Sequence, residues 1–437
     1  MRRLALVLLC VVARPAAAQS DRCLFQLDSV GGIGTQVSGE GGVNYFASGG
    51  VKMSCRGTKV TMRSDSVAAY GGKVVQYVGH VRYRDTTVTM SADRGTYYKD
   101  GERWEARGNV VTENLENGST LKGPSLDYLR PIAGIRDTIE SYAVGRPSIS
   151  YVTLDSSGRR QEPYVIVADR VRMRGNDRIW AGGKVTIDRS DFAARGDSLR
   201  LDTGTGNDGT LLGGPVMRGL GTDQFTLTGK RIDFRLDQRQ LRFVTSKGEG
   251  HAVSRDLDLK ADTIGLEVKT QKLVQTLAWG DSLRPLANTS QYTIIADSLA
   301  IDTPERYLTE TRAFGKAWVG GPPDTLTQDR DWMSGETVTA HFGQKDSAGV
   351  SQTRLQTVEA QTDAKSYYRI QDEKRPGRPS LNYSRGDRIR VIMKDTTGPA
   401  AVARVEIRGK VDGVELDPQL TPPDSLKGDT AAARSSR

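Results

Sequence analysis

Apolar and polar positions alternate along most of this chain, and the alternation breaks at one recurring point. In Val88-Thr89-Met90-Ser91-Ala92-Asp93-Arg94-Gly95-Thr96-Tyr97 the apolar residues fall every second place until a small residue and an aspartate. The same order occurs at 60–67, 166–173, 192–201, 257–266 and 292–301, with Asp65, Asp169, Asp197, Asp262 and Asp297 in the aspartate place. Looser copies start at Leu121, Phe225, Met333 and Gly386, which makes ten. A two-residue period predicts half-buried strands, and an amphipathic helix fits none of these windows. After the small residue the next apolar position comes three places on. Such a slip of parity is expected where a strand turns a corner between sheets. A small residue suits the crowded inside of a corner, and the aspartate is expected to bond nearby backbone N–H groups.

A second element follows many copies. Residues 75–83, 104–110, 179–187, 313–319 and 405–411 alternate strictly around a glycine, and turn sequences such as Lys99-Asp100-Gly101 precede it. The unit is therefore strand, corner, strand, turn, strand. No unit alone buries its apolar face, so the units must stack. Residues 43–415 are expected to form this repeat body, after an N-terminal lead at 19–42. Residues 131–163 are expected to be an insertion and 365–380 a basic loop carrying Lys365, Arg369, Lys374, Arg375 and Arg378. Residues 416–437, with Pro418, Pro422 and Pro423, are expected to be a disordered tail.

The first eighteen residues stand outside this pattern. Arg2 and Arg3, an apolar stretch from Leu4 to Ala13 and the run Ala16-Ala17-Ala18 read as a secretory signal peptide cleaved near Ala18. An export signal changes the cysteine reading. Cys10 leaves with the leader, so Cys23 and Cys55 meet an oxidising compartment either as a disulfide or as two thiols. A bridge would contribute roughly 3–4 kcal/mol through loop closure. Loss of Arg2, Arg3 and Arg14 takes the 62 cations to 59 against 53 acids, so the net charge falls from +9 to +6.

Catalytic and metal readings find little support. The chain has three histidines; His80 and His251 follow a glycine where other units carry Asn109, Lys184, Lys316 or Lys410, which points to solvent-facing side chains. His341 has no partner at metal-ligand spacing. Glycosidase chemistry needs one carboxylate pair at one distance, not seven repeated aspartates. Gly204-x-Gly206-x-x-Gly209 is not followed by a helix pattern, so it reads as a loop. Arg195-Gly196-Asp197 and Arg385-Gly386-Asp387 coincide with the corner. No catalytic residue, cofactor, metal or nucleic-acid partner is expected.

Residues 79–98, with 105–111 and 121–128, resemble the OstA-like/LptA family of periplasmic lipopolysaccharide-transport bridge proteins. The likeness is best over 72–130 and looser to about 411, and the chain is about twice as long as a typical single bridge protein. The resemblance implies an all-β, elongated open β-jelly-roll (OstA/LptA-like) whose interior holds acyl chains and whose protomers join end to end. An exported glycolipid needs a continuous apolar path, because exposing a ~12-carbon chain costs on the order of 10 kcal/mol. Val60, Met62, Val88, Met90, Ile166, Phe192, Phe225, Leu227, Leu257, Leu259 and Ile294 are the candidate lining of such a groove; a dry core is the competing reading.

The expected protein is a periplasmic, membrane-associated or soluble lipid bridge. Its partners would be lipopolysaccharide or a similar glycolipid, jelly-roll proteins at the inner and outer membranes, and further copies of itself. The alternative is a secreted β-solenoid that binds cell-surface polysaccharide, as an adhesin or depolymerase. That alternative wants exposed aromatic rings, whereas Trp104, Trp180, Trp279 and Trp318 fall within or beside strand elements. A purely structural periplasmic spacer is the third reading.

Overall fold

The computed structural model describes residues 23–37, 43–155, 157–204, 206–220, 224–237, 240–255, 257–270, 272–289, 292–304, 307–323, 329–347, 350–370, 379–394 and 402–416. They form strands and turns and no α-helix, and the sheet they build is many-stranded and antiparallel. The signal peptide and the expected tail beyond Leu416 lie outside the described residues.

The chain divides into two compact units. One comprises the described residues up to Pro147 with Arg170–Asn176; the other comprises Ser148–Asp169 and the described residues from Asp177 onward. In the first unit β1 (Phe25–Ser29) and β2 (Gly32–Val37) both pair with β3 (Val43–Cys55). From there β4 (Thr61–Tyr70), β5 (Val74–Arg84), β6 (Val88–Tyr98), β7 (Arg103–Asn114), β8 (Thr120–Leu129) and β9 (Glu140–Val144) each pair with the next. The chain then gives β10 (Ser148–Tyr151) and β11 (Tyr164–Val167) to the second unit, and β12 (Arg170–Arg174) returns to pair with β9.

The second unit continues with β13 (Arg178–Asp188), β14 (Phe192–Asp202), β15 (Asp208–Leu212), β16 (Val216–Gly219), β17 (Phe225–Thr228), β18 (Arg231–Asp237), β19 (Gln240–Ser254) and β20 (Asp258–Lys269). Then come β21 (Lys272–Trp279), β22 (Leu286–Asn288), β23 (Thr293–Ile295), β24 (Ser298–Asp302) and β25 (Glu310–Gly320). The last are β26 (Trp332–Ser347), β27 (Val350–Ile370), β28 (Ser380–Met393), β29 (Val402–Arg408) and β30 (Asp412–Leu416).

Two tracks of pairing run through each unit. The half of β14 before its corner pairs with β16, β16 with β17, and β17 with the late half of β19. The half after the corner pairs with β15, β15 with β18, and β18 with the early half of β19. Long strands cross from one track to the other, so the corners form a seam and the turns form the two outer margins. Burial follows the predicted slip: along β6, Val88, Met90 and Ala92 are buried, then Gly95 and Tyr97.

Two expectations are corrected here. Residues 131–163 are not a simple insertion, because β9 and β10 within them take places in the ladders. Their signal was hidden by Pro147, which replaces the apolar residue after Gly145-Arg146. Residues 365–380 are not one loop: Lys365 and Arg369 lie on β27 and Ser380 opens β28. Their charges sit on the outer face of a strand whose inner face holds Ala364 and Ser366. Lys374, Arg375 and Arg378 lie outside the described residues.

Candidate functional site

The corners set the geometry of the interior. Opposite Asp65, Asp93, Asp169, Asp297 and Asp387, the next strand places a glycine with positive φ followed by a second residue with positive φ. Gly79-His80, Gly108-Asn109, Gly183-Lys184, Gly315-Lys316 and Gly409-Lys410 all do so. The pairing register skips there, for example between Val78 and Val81. A Cβ on Gly79, Gly108, Gly183, Gly315 or Gly409 would strike the carboxyl group of Asp65, Asp93, Asp169, Asp297 or Asp387. The positive φ also favours glycine independently.

The aspartate's partner differs from the expected backbone bonds in three copies, one of them Asp297, whose Oδ1 meets Arg284 Nε at 2.9 Å. Asp65 Oδ2 meets His80 Nδ1 at 2.8 Å and Asp93 Oδ2 accepts from Asn109 Nδ2 at 2.9 Å. Asp262 does accept from backbone, from the N–H groups of Ser282 and Leu283. At the copy where Lys230 replaces aspartate, Glu249 fills the facing place and the pair meets at 2.6 Å with its charges exchanged. His251 is therefore not in the corner place; Glu249 is, and His251 lies two residues further on, against Asp258 at 3.0 Å. These exposed pairs contribute no more than about 0–1 kcal/mol each. His341 lies 3.5 Å from Glu310, and no metal-holding group occurs among the described residues. Gly204 and Gly206 donate to Asp202 Oδ1, which closes their loop upon itself.

Between the tracks the two units are filled differently. In the first, the inward row of the pre-corner track runs Leu27, Met53, Met62, Tyr83, Met90, Thr112, Leu121, each directly opposite the next. The other track faces it with aromatic rings. Tyr83 lies 5.1 Å from Trp104 and 5.9 Å from Tyr128 between ring centroids, and the Tyr77 hydroxyl donates to Met62 Sδ at 3.1 Å. Asp85, buried at the margin, accepts from the hydroxyls of Tyr83 and Tyr128, both at 2.9 Å. It also accepts from the N–H groups of Thr87 and Val88. Burial pushes the hydroxyl pKa of Tyr77, Tyr83 and Tyr128 far above the tyrosine range, and Asp85 raises the latter two further.

A second bridge closes the same margin. Cys23 and Cys55 are joined by a disulfide, and the Cys23 N–H donates to Glu102 Oε1 at 2.9 Å. Arg130 Nη1 holds Glu102 Oε2 at 2.7 Å, and Phe25 packs edge-on against Tyr97. The first unit is thus latched across its margins by buried polar groups. Sequence periodicity missed this cluster because Asp85, Glu102 and Arg130 sit in turns, outside the repeat.

The second unit has a mainly aliphatic interior, with Tyr151, Tyr164, Phe192 and Phe234 as its buried aromatic residues among those described. One inward row passes through Ile149, Ile166, Ile187, Ala194, Met217, Leu227, Ala252, Leu259, Ala287, Ile294, Val319 and Met333. It ends at Ser366 and Ser384. The facing row runs Ala181, Leu199, Leu211, Ile232, Ser246, Ile264, Ala278, Leu299, Ala313, Val338, Ala360, Ile389. Small residues such as Ala194, Ala252, Ala287, Ala278 and Ala313 are interspersed among the large ones. Among the described residues of this unit Asp202 is the one buried carboxylate, and it pairs with Arg178 at 3.3 Å. At one place the margins touch, where the hydroxyls of Tyr151 and Thr203 share a hydrogen bond of 2.5 Å.

The candidate lining residues divide accordingly. Val60, Met62, Val88 and Met90 are buried in the first unit; Ile166, Phe192, Leu227, Leu259 and Ile294 are buried in the second. Phe225 and Leu257 are only half-buried. Ile166, Leu227 and Leu259 have 0% of their surface exposed, so the protein's own side chains fill the interior at those places. Strand position did not make the tryptophans internal: Trp104 is buried, Trp180 and Trp318 are half-buried, and Trp279 is exposed. Neither a family model nor a curated protein matches this chain.

Proposed function

We propose that this chain is an exported, non-enzymatic lipid conduit, with the open jelly-roll geometry of OstA-like bridges, that carries lipopolysaccharide or a related glycolipid between membranes. One observation carries the reading. The inward row of the second unit stays apolar over twelve consecutive strands, from Ile149 to Met333, and faces a second row that is apolar except at Ser246. At ~4.8 Å per strand that is a path of roughly 50 Å. A globular core needs no such directional continuity; a track for acyl chains does.

Lipid would enter by parting the two rows. The ladders run along the tracks and not across them, so parting breaks side-chain contacts and leaves ladder hydrogen bonds intact. Burying a ~12-carbon chain returns on the order of 10 kcal/mol, enough to offset several displaced aliphatic contacts. Strands β2 and β30, each with one ladder partner among the described residues, offer unpaired edges to neighbours of the same fold.

The test places a photo-crosslinking residue at Phe192, Leu227 or Leu259 in the exporting cell, with outward Lys260 as control. Glycolipid adducts at the inward sites and none at Lys260 are expected. A folded protein without adducts at any inward site would mean a dry core and a spacer role.

A further inference from the structure

The outer face of the pre-corner track changes character at the end of the second unit. Register places Trp332, Tyr367, Tyr383 and Val414 in one transverse row across β26, β27, β28 and β30. Trp332 and Tyr367 lie 6.4 Å apart at 20°, and Tyr383 meets Trp332 edge-on at 6.4 Å. Behind them the Trp318 ring covers Gly320, which pairs with Trp332. The opposite face of the same strands carries Met333, Ser366 and Ser384, all buried, so the aromatic row points outward. Val414 and Leu416 are 56% and 58% exposed.

Cations frame this row. Arg369 lies on one side, in line with Leu381 and Leu416; Lys365 and Arg385 lie on the other, in line with Asp412. Lys365 and Arg385 pair with exposed carboxylates, Asp363 and Asp412, which lipid phosphates can replace, whereas Arg369 is largely covered and held by Asp331. Across described residues 329–347, 350–370, 379–394 and 402–416, which carry the row, twelve cations oppose ten acids, a net +2.

We propose that this face docks on a bilayer surface bearing acidic headgroups. Tryptophan and tyrosine place an apolar body and a polar tip at such an interface, and arginine and lysine beside them meet phosphate. A sugar platform fits less well: Tyr383 stands at 62° to Trp332 instead of extending a flat floor, and aliphatic Val414 continues the row with Leu381 and Leu416 in the line beside it. Docking here is independent of whether the interior takes lipid.

The test mixes the full mature chain with vesicles of zwitterionic phospholipid alone, or with an added acidic phospholipid, and measures co-sedimentation. Binding to the acidic vesicles is expected, weakening with salt. The Tyr383→Ser/Val414→Ser/Leu416→Ser variant should lose about tenfold or more, since each buried methylene counts at an interface. Leu277→Ser, an exposed residue on β21, should bind as the parent does. Circular dichroism confirms that each variant is folded. Absence of vesicle binding by the parent, equal loss in Leu277→Ser, or displacement of bound protein by a soluble anionic polysaccharide would overturn the proposal.

Discussion

Asp85 is the most exacting place to test the account of the first unit. Its carboxylate accepts four hydrogen bonds, and two come from the hydroxyls of Tyr83 and Tyr128, which are 2% and 3% exposed. Asp85→Ala leaves both hydroxyls buried without their acceptor. At about 1–3 kcal/mol per stranded group, and with the turn N–H groups of Thr87 and Val88 returned to water, the expected loss is about 3–5 kcal/mol. In a Tyr83→Phe/Tyr128→Phe background no hydroxyl is left to strand. There Asp85→Ala should cost only about 1–2 kcal/mol, a coupling of about 1–4 kcal/mol. Hydrogen exchange of peptides from β5, β7 and β8, followed through increasing urea, reads this opening free energy locally. Equal cost in the two backgrounds, or a loss below about 0.5 kcal/mol in the parent, would refute a latch built on Asp85.

Gly183→Ala should destabilise the second unit by about 2–3 kcal/mol, because the residue has φ +78° and its new Cβ would strike Asp169; urea unfolding checks it, and Gly158→Ala, with positive φ but open space, should cost less. Desolvation raises the Asp233 pKa, but hydrogen bonds from Arg231, Thr210 and Lys247 outweigh it and hold the carboxyl below its usual 3.8. The stability this supplies is present above pH ~4 and disappears as pH falls through the lower folded-state pKa. Asp233→Asn should therefore be less stable than the parent at pH ~6 and converge with it in acid, as denaturation series at the two pH values would show.

The sequence alone determined the strands, their parity slip and the corners, because all three are local. A two-residue period fixes which side chains share a face, and the small-aspartate step marks where that face must turn. Gly108 and Gly183 were visible as punctuation, and their positive φ and the aspartates over them give that punctuation its cause. Strands built around irregular copies escaped, such as β9 and β10 with Pro147, and β27, where Thr362 and Asp363 take the positive-φ places elsewhere led by glycine. What tertiary structure alone decided is register across strands far apart in sequence. Whether Leu227 stands opposite Ala252, and Ala252 opposite Leu259, depends on hairpin lengths and bulges that composition does not encode. The same holds for Asp85 and Tyr128, forty-three residues apart, and for Cys23 and Glu102, seventy-nine apart. Periodicity can assign each of these residues to a face, but only the closure of one track over the other brings their atoms within hydrogen-bond distance.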